Sequence, residues 1–394
     1  VTSPAGTLAL RDGPVLDGGA GVDDPAALFS GSGARLELAP GSRVQPPGVA
    51  VWEGGGDRER YDLYTREIPP LRFLSLADVR LFGYGQLADA GGQVFHHSEF
   101  CADEVLEIGA PMNLRTGAYS WDSASAQVVL SAGLAQRHVA DPCVLLSQCG
   151  INTYGHWLLD ILPKIVLARR LPRPVRFIKP LGLSRQLPAI LDWQREFFAL
   201  LDVAPEEIIT YDPCSELLRL DRAIAVTQPR LYYGINPLAN EAFDAVRHRV
   251  CGEPAAGDLK LYLSRRGMRR EQNVLVNREE VETLVASRGF TVLEPEGLPV
   301  REQVALFSRA HTVVGEQGSA LHNTAFSPRG TRVLCLHPPD AQLFAQAGIA
   351  RIRAQPTGFI FGTGRDAGAG AGGQAGYGID AALLARGLDR MEQL

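Results

Sequence analysis

The sequence predicts an α/β protein built on parallel sheets, and three observations carry that prediction. Between residues 141 and 251, short apolar runs of strand length alternate with stretches of helical period. A second alternation, β-α-β-α-β-α-β, fills the span from Leu259 to Leu336 in the rhythm of a Rossmann-like half. The passage Gly252-Glu253-Pro254-Ala255-Ala256-Gly257 between them reads as a hinge. The domain organisation expected is therefore a β-rich, loop-rich segment over 1–140, an N-terminal Rossmann-like domain over 141–251 and a C-terminal one over 258–361. A Gly-rich linker over 362–378 and a terminal helix over 379–394 complete it.

The elements follow in order. Residues 1–56 are thick with Gly, Pro and Ala, with short apolar pieces such as Leu36-Glu37-Leu38 and Val49-Ala50-Val51. From Leu71 to Phe100, short strands are expected, separated by Gly83, Gly85 and Gly91-Gly92. Val144-Leu145-Leu146 is a strand. A helix follows through Tyr154–Ile165 with Leu158, Ile161, Leu162 and Ile165 on one face. Pro163 has no N–H and its ring opposes the Leu159 carbonyl, which predicts a kink or a restart there. Strands at 175–178, 208–211 and 223–227 and helices at 187–201 and 236–251 complete the first unit.

In the second unit, 259–263, 290–293, 311–314 and 332–336 read as strands. Asn277 with Glu280 three residues on forms a capping-box pattern opening a helix that carries Val281, Leu284 and Val285. Pro299 opens a helix with Val300, Val304 and Phe307 together. Ser319–Phe326 is a short helix. The Gly-rich 362–378 passage should be mobile, and Ile379–Leu394 forms an amphipathic helix through Leu383, Leu384, Leu388 and Met391.

Composition narrows the function classes. An apolar content of 45% with 21% charged residues is that of a globular chain, not a disordered one. The formal net charge of −5 argues against a nucleic-acid partner, which wants a broad basic face. No run approaches the ~18 apolar residues of a membrane span. Val1–Leu10 lacks the basic start and apolar core of a signal peptide. The six cysteines, at 101, 143, 149, 214, 251 and 335, include no C-x-x-C pair, so buried thiols in a reducing cytoplasm are expected rather than a zinc site or a disulfide framework.

Three constellations could carry chemistry. Ser264-Arg265-Arg266-Gly267-Met268-Arg269-Arg270 sets four arginines directly behind a strand, where the crevice of an open α/β sheet lies. Guanidinium forks there suit phosphate oxygens, with a solvated basic loop as the plainer alternative. Val313-Val314-Gly315-Glu316-Gln317-Gly318-Ser319-Ala320-Leu321-His322-Asn323 runs a strand through a Gly-rich turn into a helix whose free N–H groups favour an anion. An ordinary tight turn is the alternative. His156 and Asp160 stand four apart on one helix face, placed to take a proton from a hydroxyl, unless Asp160 pairs with Lys164 instead. The 313–323 turn lacks the G-x-G-x-x-G spacing, and D-x-D, H-E-x-x-H and G-x-S-x-G are missing from the sequence, which disfavours a dinucleotide oxidoreductase, a diphosphate–metal site, zinc hydrolysis and an α/β-hydrolase.

In series, these residues resemble glycosyltransferase family 61. The resemblance runs through Asn152-Thr153-Tyr154-Gly155-His156-Trp157-Leu158-Leu159-Asp160-Ile161-Leu162-Pro163-Lys164, then Tyr262-Leu263-Ser264-Arg265-Arg266. It continues through Asn277, Glu280-Val281, Gly289-Phe290, Pro295-Glu296, Glu302-Gln303, Val313 to Asn323, and Phe326-Ser327-Pro328-Arg329-Gly330. It departs where the family's usual loop His is Gln317 and where a commonly basic position is Asn273. The first 140 residues carry little of it.

The resemblance implies a GT-B-like architecture, two Rossmann-like domains facing a cleft, and an inverting, metal-independent transfer of a sugar from a nucleotide-sugar donor to a glycan or other hydroxyl acceptor, as in capsular polysaccharide biosynthesis. It implies Asp160 and His156 as catalytic residues. Arg265, Arg269, Gln317, Gly318, Ser319, Ala320, Leu321, Asn323 and Glu302 would bind the donor, with no metal and no cofactor besides that co-substrate. The expected partners are the nucleotide sugar and the acceptor, without nucleic acid. The expected setting is cytoplasmic, with peripheral contact to the inner membrane left open. A non-catalytic nucleotide-sugar or glycan-binding protein on the same fold is the alternative. Sugar, nucleotide, acceptor and oligomeric state are not legible in the sequence.

Overall fold

The computed structural model describes residues 7–10, 21–30, 33–44, 47–63, 66–95, 116–122, 124–125, 127–147, 150–182, 186–231, 234–252, 257–266, 274–339, 345–365 and 376–394. The chain folds into mixed α/β structure with parallel sheets, in two compact units. One comprises 1–42 and 68–231, the other 43–67 and 232–394.

The first unit is built on β1 (Leu71–Phe82), β2 (Cys143–Leu145), β3 (Arg176–Pro180), β4 (Ile208–Tyr211) and β5 (Glu216–Val226). Their order across the sheet is β4-β3-β2-β5-β1, with β2 to β5 parallel and β1 antiparallel to β5. Every residue of β2 is buried, as expected of a strand covered on both faces. Leu74, Leu76, Ile178, Leu218 and Leu220 belong to one core cluster with it. The sheet continues beyond β1 through short strands, including Thr7–Leu10 and Gln127–Leu130. The expected strands after Leu71 are present, Leu71–Phe82, Gln86–Ala88 and Gln93–Val94, broken at Gly83, Gly85 and Gly91-Gly92; the first runs to twelve residues and ends at Gly83, whose φ of +55° suits a residue without Cβ.

Around Pro163 the expected restart takes a definite form. Trp157–Ile161 is wound as a π-helix, the Leu162 N–H bonding back to the Trp157 carbonyl. An α-helix, α1 (Leu162–Ala168), then begins with Pro163 in its first turn, where a missing N–H costs nothing. The helix expected over 187–201 is shorter, α2 (Asp192–Leu200). The Ala189 carbonyl accepts from Lys179 Nζ (2.7 Å) and the Gln194 side chain caps the Leu191 N–H (2.9 Å), so the turn before Asp192 is held open.

The second unit is an all-parallel sheet of β6 (Leu259–Leu263), β7 (Thr291–Leu293), β8 (Ala310–Glu316), β9 (Arg332–His337) and β10 (Thr357–Phe361), in the order β7-β6-β8-β9-β10. Its far edge is a strand from early in the chain, Val51–Glu53, parallel to β10. The helices are α3 (Asn240–Cys251), α4 (Arg278–Ser287), α5 (Val300–Ser308), α6 (Ala345–Arg353) and α7 (Ala381–Glu392). The amphipathic tail helix docks as its pattern predicted. Leu384, Leu388 and Met391 are fully buried with Leu334 and Ile360, worth ~1.5–3 kcal/mol each. Gly387 permits the approach, since a Cβ there would lie 2.8 Å from Ile360 Cδ1.

The capping box expected at Asn277 does not form. Asn277 makes no side-chain cap; its amide instead grips the main chain of Ile379, Nδ2 donating to the carbonyl (2.7 Å) and Oδ1 accepting from the N–H (3.0 Å). A side-chain amide matches both main-chain groups at once, and that pairing outcompetes the local cap.

Four cysteines fall among the described residues: Cys143 and Cys335 are buried as expected, Cys214 is half-buried and Cys251 is exposed. Cys101 and Cys149, most of the hinge and the centre of the Gly-rich passage lie outside the described residues. Among the described residues no helix is long and apolar enough to cross a membrane.

Candidate active site

Strand order locates the crevices. In an open parallel sheet, ligands bind beyond the carboxyl ends of the strands, at the point where the order reverses. In the first unit that point lies between β2 and β5; in the second, between β6 and β8. His156, Asp160, Arg265 and the Gln317-Gly318 turn lie at these two places.

After β2 the chain winds through the α-helical turn Tyr154–His156 into the π-turn that carries Asp160; after β5 it reaches Arg230. Asp160 is buried, with 2% of its side chain exposed, and its carboxylate takes Arg230 through both arms: Nε to Oδ1 at 2.6 Å and Nη2 to Oδ2 at 2.8 Å. His156 Nδ1 lies 2.8 Å from Asp160 Oδ2 and 3.2 Å from Arg230 Nη2. An ionised carboxylate can only accept, so at the shorter contact Nδ1–H donates to Asp160, which leaves Nε2 turned away from the pair. A third of the His156 side chain is exposed. Burial alone would raise the Asp160 carboxyl, but Arg230 and His156 together hold it well below the usual carboxylate range. Such a carboxylate is a poor proton acceptor and a good anchor for the imidazole. Gly150 lies against the ring, where a Cβ would come within 2.6 Å of Cδ2.

At the second switch point, Arg265 follows β6 and the Gln317-Gly318 turn follows β8. The two meet. Arg265 Nη1 donates to the Gln317 carbonyl at 3.0 Å, and its guanidinium carbon lies 3.6 Å from the position of a Cβ on Gly318. Gln317, Gly318, Ser319 and Ala320 are all half-exposed, and Ser319–Phe326 is wound as a 3₁₀ helix, not an α-helix. Leu321 is buried, and Asn323 is fully buried with its Nδ2 donating to Gln303 Oε1 at 2.9 Å, tying the turn to α5 from within. Glu302 stands exposed on the first turn of α5. Arg266 turns aside to Glu282, and Arg269 lies outside the described residues.

Sequence reasoning passed over three groups. Arg230, missed altogether, is joined to Asp160 only by the placement of β5 beside β2; the Pro229-Arg230 pair behind a buried strand was its one local signal. Glu316 and Arg278 form a second buried ion pair beneath the Gln317 turn. Lys179, at the carboxyl end of β3, is fully buried and donates to the carbonyls of Ala189 and Pro180 and to Asn152 Oδ1. Among the described residues no group of three His, Cys, Asp or Glu side chains could hold a metal ion.

Comparison with known proteins bears on these sites. Residues 154–334 match the family described as Glycosyltransferase 61, a span that starts just before His156 and includes Asp160, Arg230, Arg265 and the Gln317 turn. The resemblance read from the sequence is thereby borne out. The match indicates a glycosyltransferase, whose partners are a sugar donor and an acceptor. No curated protein matches the chain.

Proposed function

Taking residues 154–334 as belonging to glycosyltransferase family 61, we propose that this protein moves a sugar from a nucleotide-sugar donor to a hydroxyl acceptor with inversion at the anomeric carbon. The observation that carries this reading is the meeting of Arg265 with the Gln317-Gly318 turn at the switch point of the second sheet. A guanidinium and exposed main chain converging there suit a pyrophosphate.

The chemistry is a single displacement. The acceptor oxygen attacks the anomeric carbon as the bond to the pyrophosphate oxygen breaks, and the electron pair leaves with the nucleoside diphosphate. Arg265, with the amides opening Ser319–Ala320, stabilises that charge, and Gln317 and Gly318 shape the turn. Arg269 and Glu302 belong to the donor grip in this reading, and Leu321 and Asn323 brace it from the interior. His156 Nε2 takes the acceptor proton, and Asp160, fixed by Arg230, holds the ring and the imidazolium that forms. The GT-B organisation, the absence of a metal requirement and a place in polysaccharide synthesis belong to the same reading.

A second reading, a binding protein that holds a nucleotide sugar or glycan without turnover, is favoured by Gln317 standing where the family usually has His. One sequence of experiments separates the two. A thermal-shift screen against UDP-, GDP-, CMP- and dTDP-sugars identifies the donor, since a ligand stabilises the fold by RT ln(1 + [L]/Kd). Donor turnover is then measured with and without acceptor. Arg265→Ala is expected to lower turnover ~10²–10³-fold with the fold intact. Parent-level transfer by that variant defeats the donor grip, and donor binding without any turnover selects the second reading.

A further inference from the structure

Directly beneath the proposed donor grip lies a charge of the wrong sign. Glu316 ends β8, immediately before Gln317, and its side chain has no solvent exposure. Its Oε1 accepts from the Arg265 main-chain N–H at 3.4 Å, so it holds the loop that carries the proposed phosphate-binding guanidinium. A bare carboxylate there would oppose any anion bound at the same turn. Arg278, the first residue of α4, answers it with both arms: Nε to Oε1 at 3.0 Å and Nη2 to Oε2 at 3.1 Å. The geometry is the bidentate fork in which arginine binds carboxylate most specifically, and only 14% of the Arg278 side chain is exposed.

We propose that Arg278 is a positioning residue for the donor: it neutralises Glu316, so that this carboxylate can fix the Arg265 loop without repelling the donor's pyrophosphate. The inference rests on the donor reading above. It adds that the pair acts as a unit. Removing Arg278 alone strips a buried carboxylate next to the anion of its bidentate counter-charge, whereas removing both partners takes away that carboxylate's charge as well.

The test is equilibrium binding of UDP, GDP and inorganic pyrophosphate to the parent and to Arg278→Met, Arg278→Lys, Glu316→Gln and the Arg278→Met/Glu316→Gln double variant. Arg278→Met is expected to weaken binding on the order of tenfold or more, the scale of a unit charge poorly screened from an anion. Arg278→Lys keeps the positive charge and most of the affinity. The double variant regains most of what Arg278→Met loses, which a merely structural arginine would not allow. Parent-like binding by Arg278→Met, or a double variant as weak as Arg278→Met, overturns the inference while leaving the donor reading in place. A parent that binds none of the three probes takes down both. If Arg278→Met does not fold, the double variant is compared with the parent, which carries the same net charge at this place. Affinity within a few fold of the parent supports the inference and a much weaker double variant overturns it.

Discussion

Arg230 and Asp160 are joined through both arms of the guanidinium, at 2.6 and 2.8 Å, although seventy residues of chain separate them. The pair is almost wholly withdrawn from water, and the carboxylate has His156 as a further donor. Removing the arginine leaves a buried carboxylate without the guanidinium that holds both its oxygens. Arg230→Met is therefore expected to destabilise the fold by ~3–5 kcal/mol, the range for breaking one side of a buried pair. Adding Asp160→Asn should recover part of that loss. Chemical denaturation of the two single variants and the double variant checks this, and a strictly additive cycle would show that the pair is not coupled.

Gly150 controls the other side of the same imidazole. The contact is one of space and not of backbone angle, because a methyl at position 150 falls 2.6 Å from His156 Cδ2 and 3.1 Å from Nε2. Gly150→Ala must push the ring away from its bond to Asp160. If His156 is the base, kcat should drop ~10²-fold or more, within the span that general bases contribute, with little change in donor affinity. Steady-state kinetics with saturating donor reads this. An unchanged kcat would remove His156 from the proton transfer.

Much of the fold was legible locally, because burial on both faces writes a parallel strand as a short apolar run. β2, β3, β8 and β9 carry that mark, and the tail helix shows its buried face in Leu384, Leu388 and Met391. The meeting of the Arg265 loop with the Gln317 turn was legible too, since both lie at carboxyl ends of strands in one sheet. Partner choice across the sheet was not. Arg230 reaches Asp160 because β5 lies beside β2, and no periodicity encodes which strands become neighbours. The same holds for Val51–Glu53, a three-residue piece that pairs with β10 some three hundred positions later. Asn277 shows the opposite failure: a correct local pattern for a cap was overridden by a main-chain partner, Ile379, from the far end of the chain.

His337 makes the fold acid-sensitive in a defined window. It is fully buried against Phe359 and Phe361, and burial pushes its imidazole down to about 3 from an ordinary 6.5. The folded chain therefore keeps this ring neutral while the unfolded chain protonates it. Its contribution is fully present above pH 6.5 and is lost as pH falls from there toward 3, at up to about 1.4 kcal/mol per pH unit. The Asp160 contribution goes only at lower pH, once its unfolded-state value of 3.8 has been passed. His337→Phe should flatten the slope of unfolding free energy between pH 6 and pH 4, as measured by urea titration in that range. A slope identical to the parent's would locate the acid sensitivity elsewhere.

Lys179 sets the trend on the alkaline side. Its ammonium is fully buried among oxygens that are all uncharged, namely the Ala189 and Pro180 carbonyls and Asn152 Oδ1, and burial lowers it to about 8 from 10.5. Between pH 8 and 10.5 the unfolded chain thus holds a proton that the folded chain has released, so stability from this group rises with pH across the window. Tyr119 and Tyr211 act in the other direction. Burial keeps both phenols protonated in the fold, and the unfolded chain begins to ionise them near pH 10. The lysine is therefore read cleanly only from pH 8 to about 9.5. Over that interval the parent should gain stability relative to Lys179→Met. The variant should be less stable at every pH, because three donated bonds are gone and their acceptors stay buried. Urea denaturation of both proteins at half-unit pH steps gives the difference directly, and a difference that does not change with pH would mean Lys179 keeps its proton throughout.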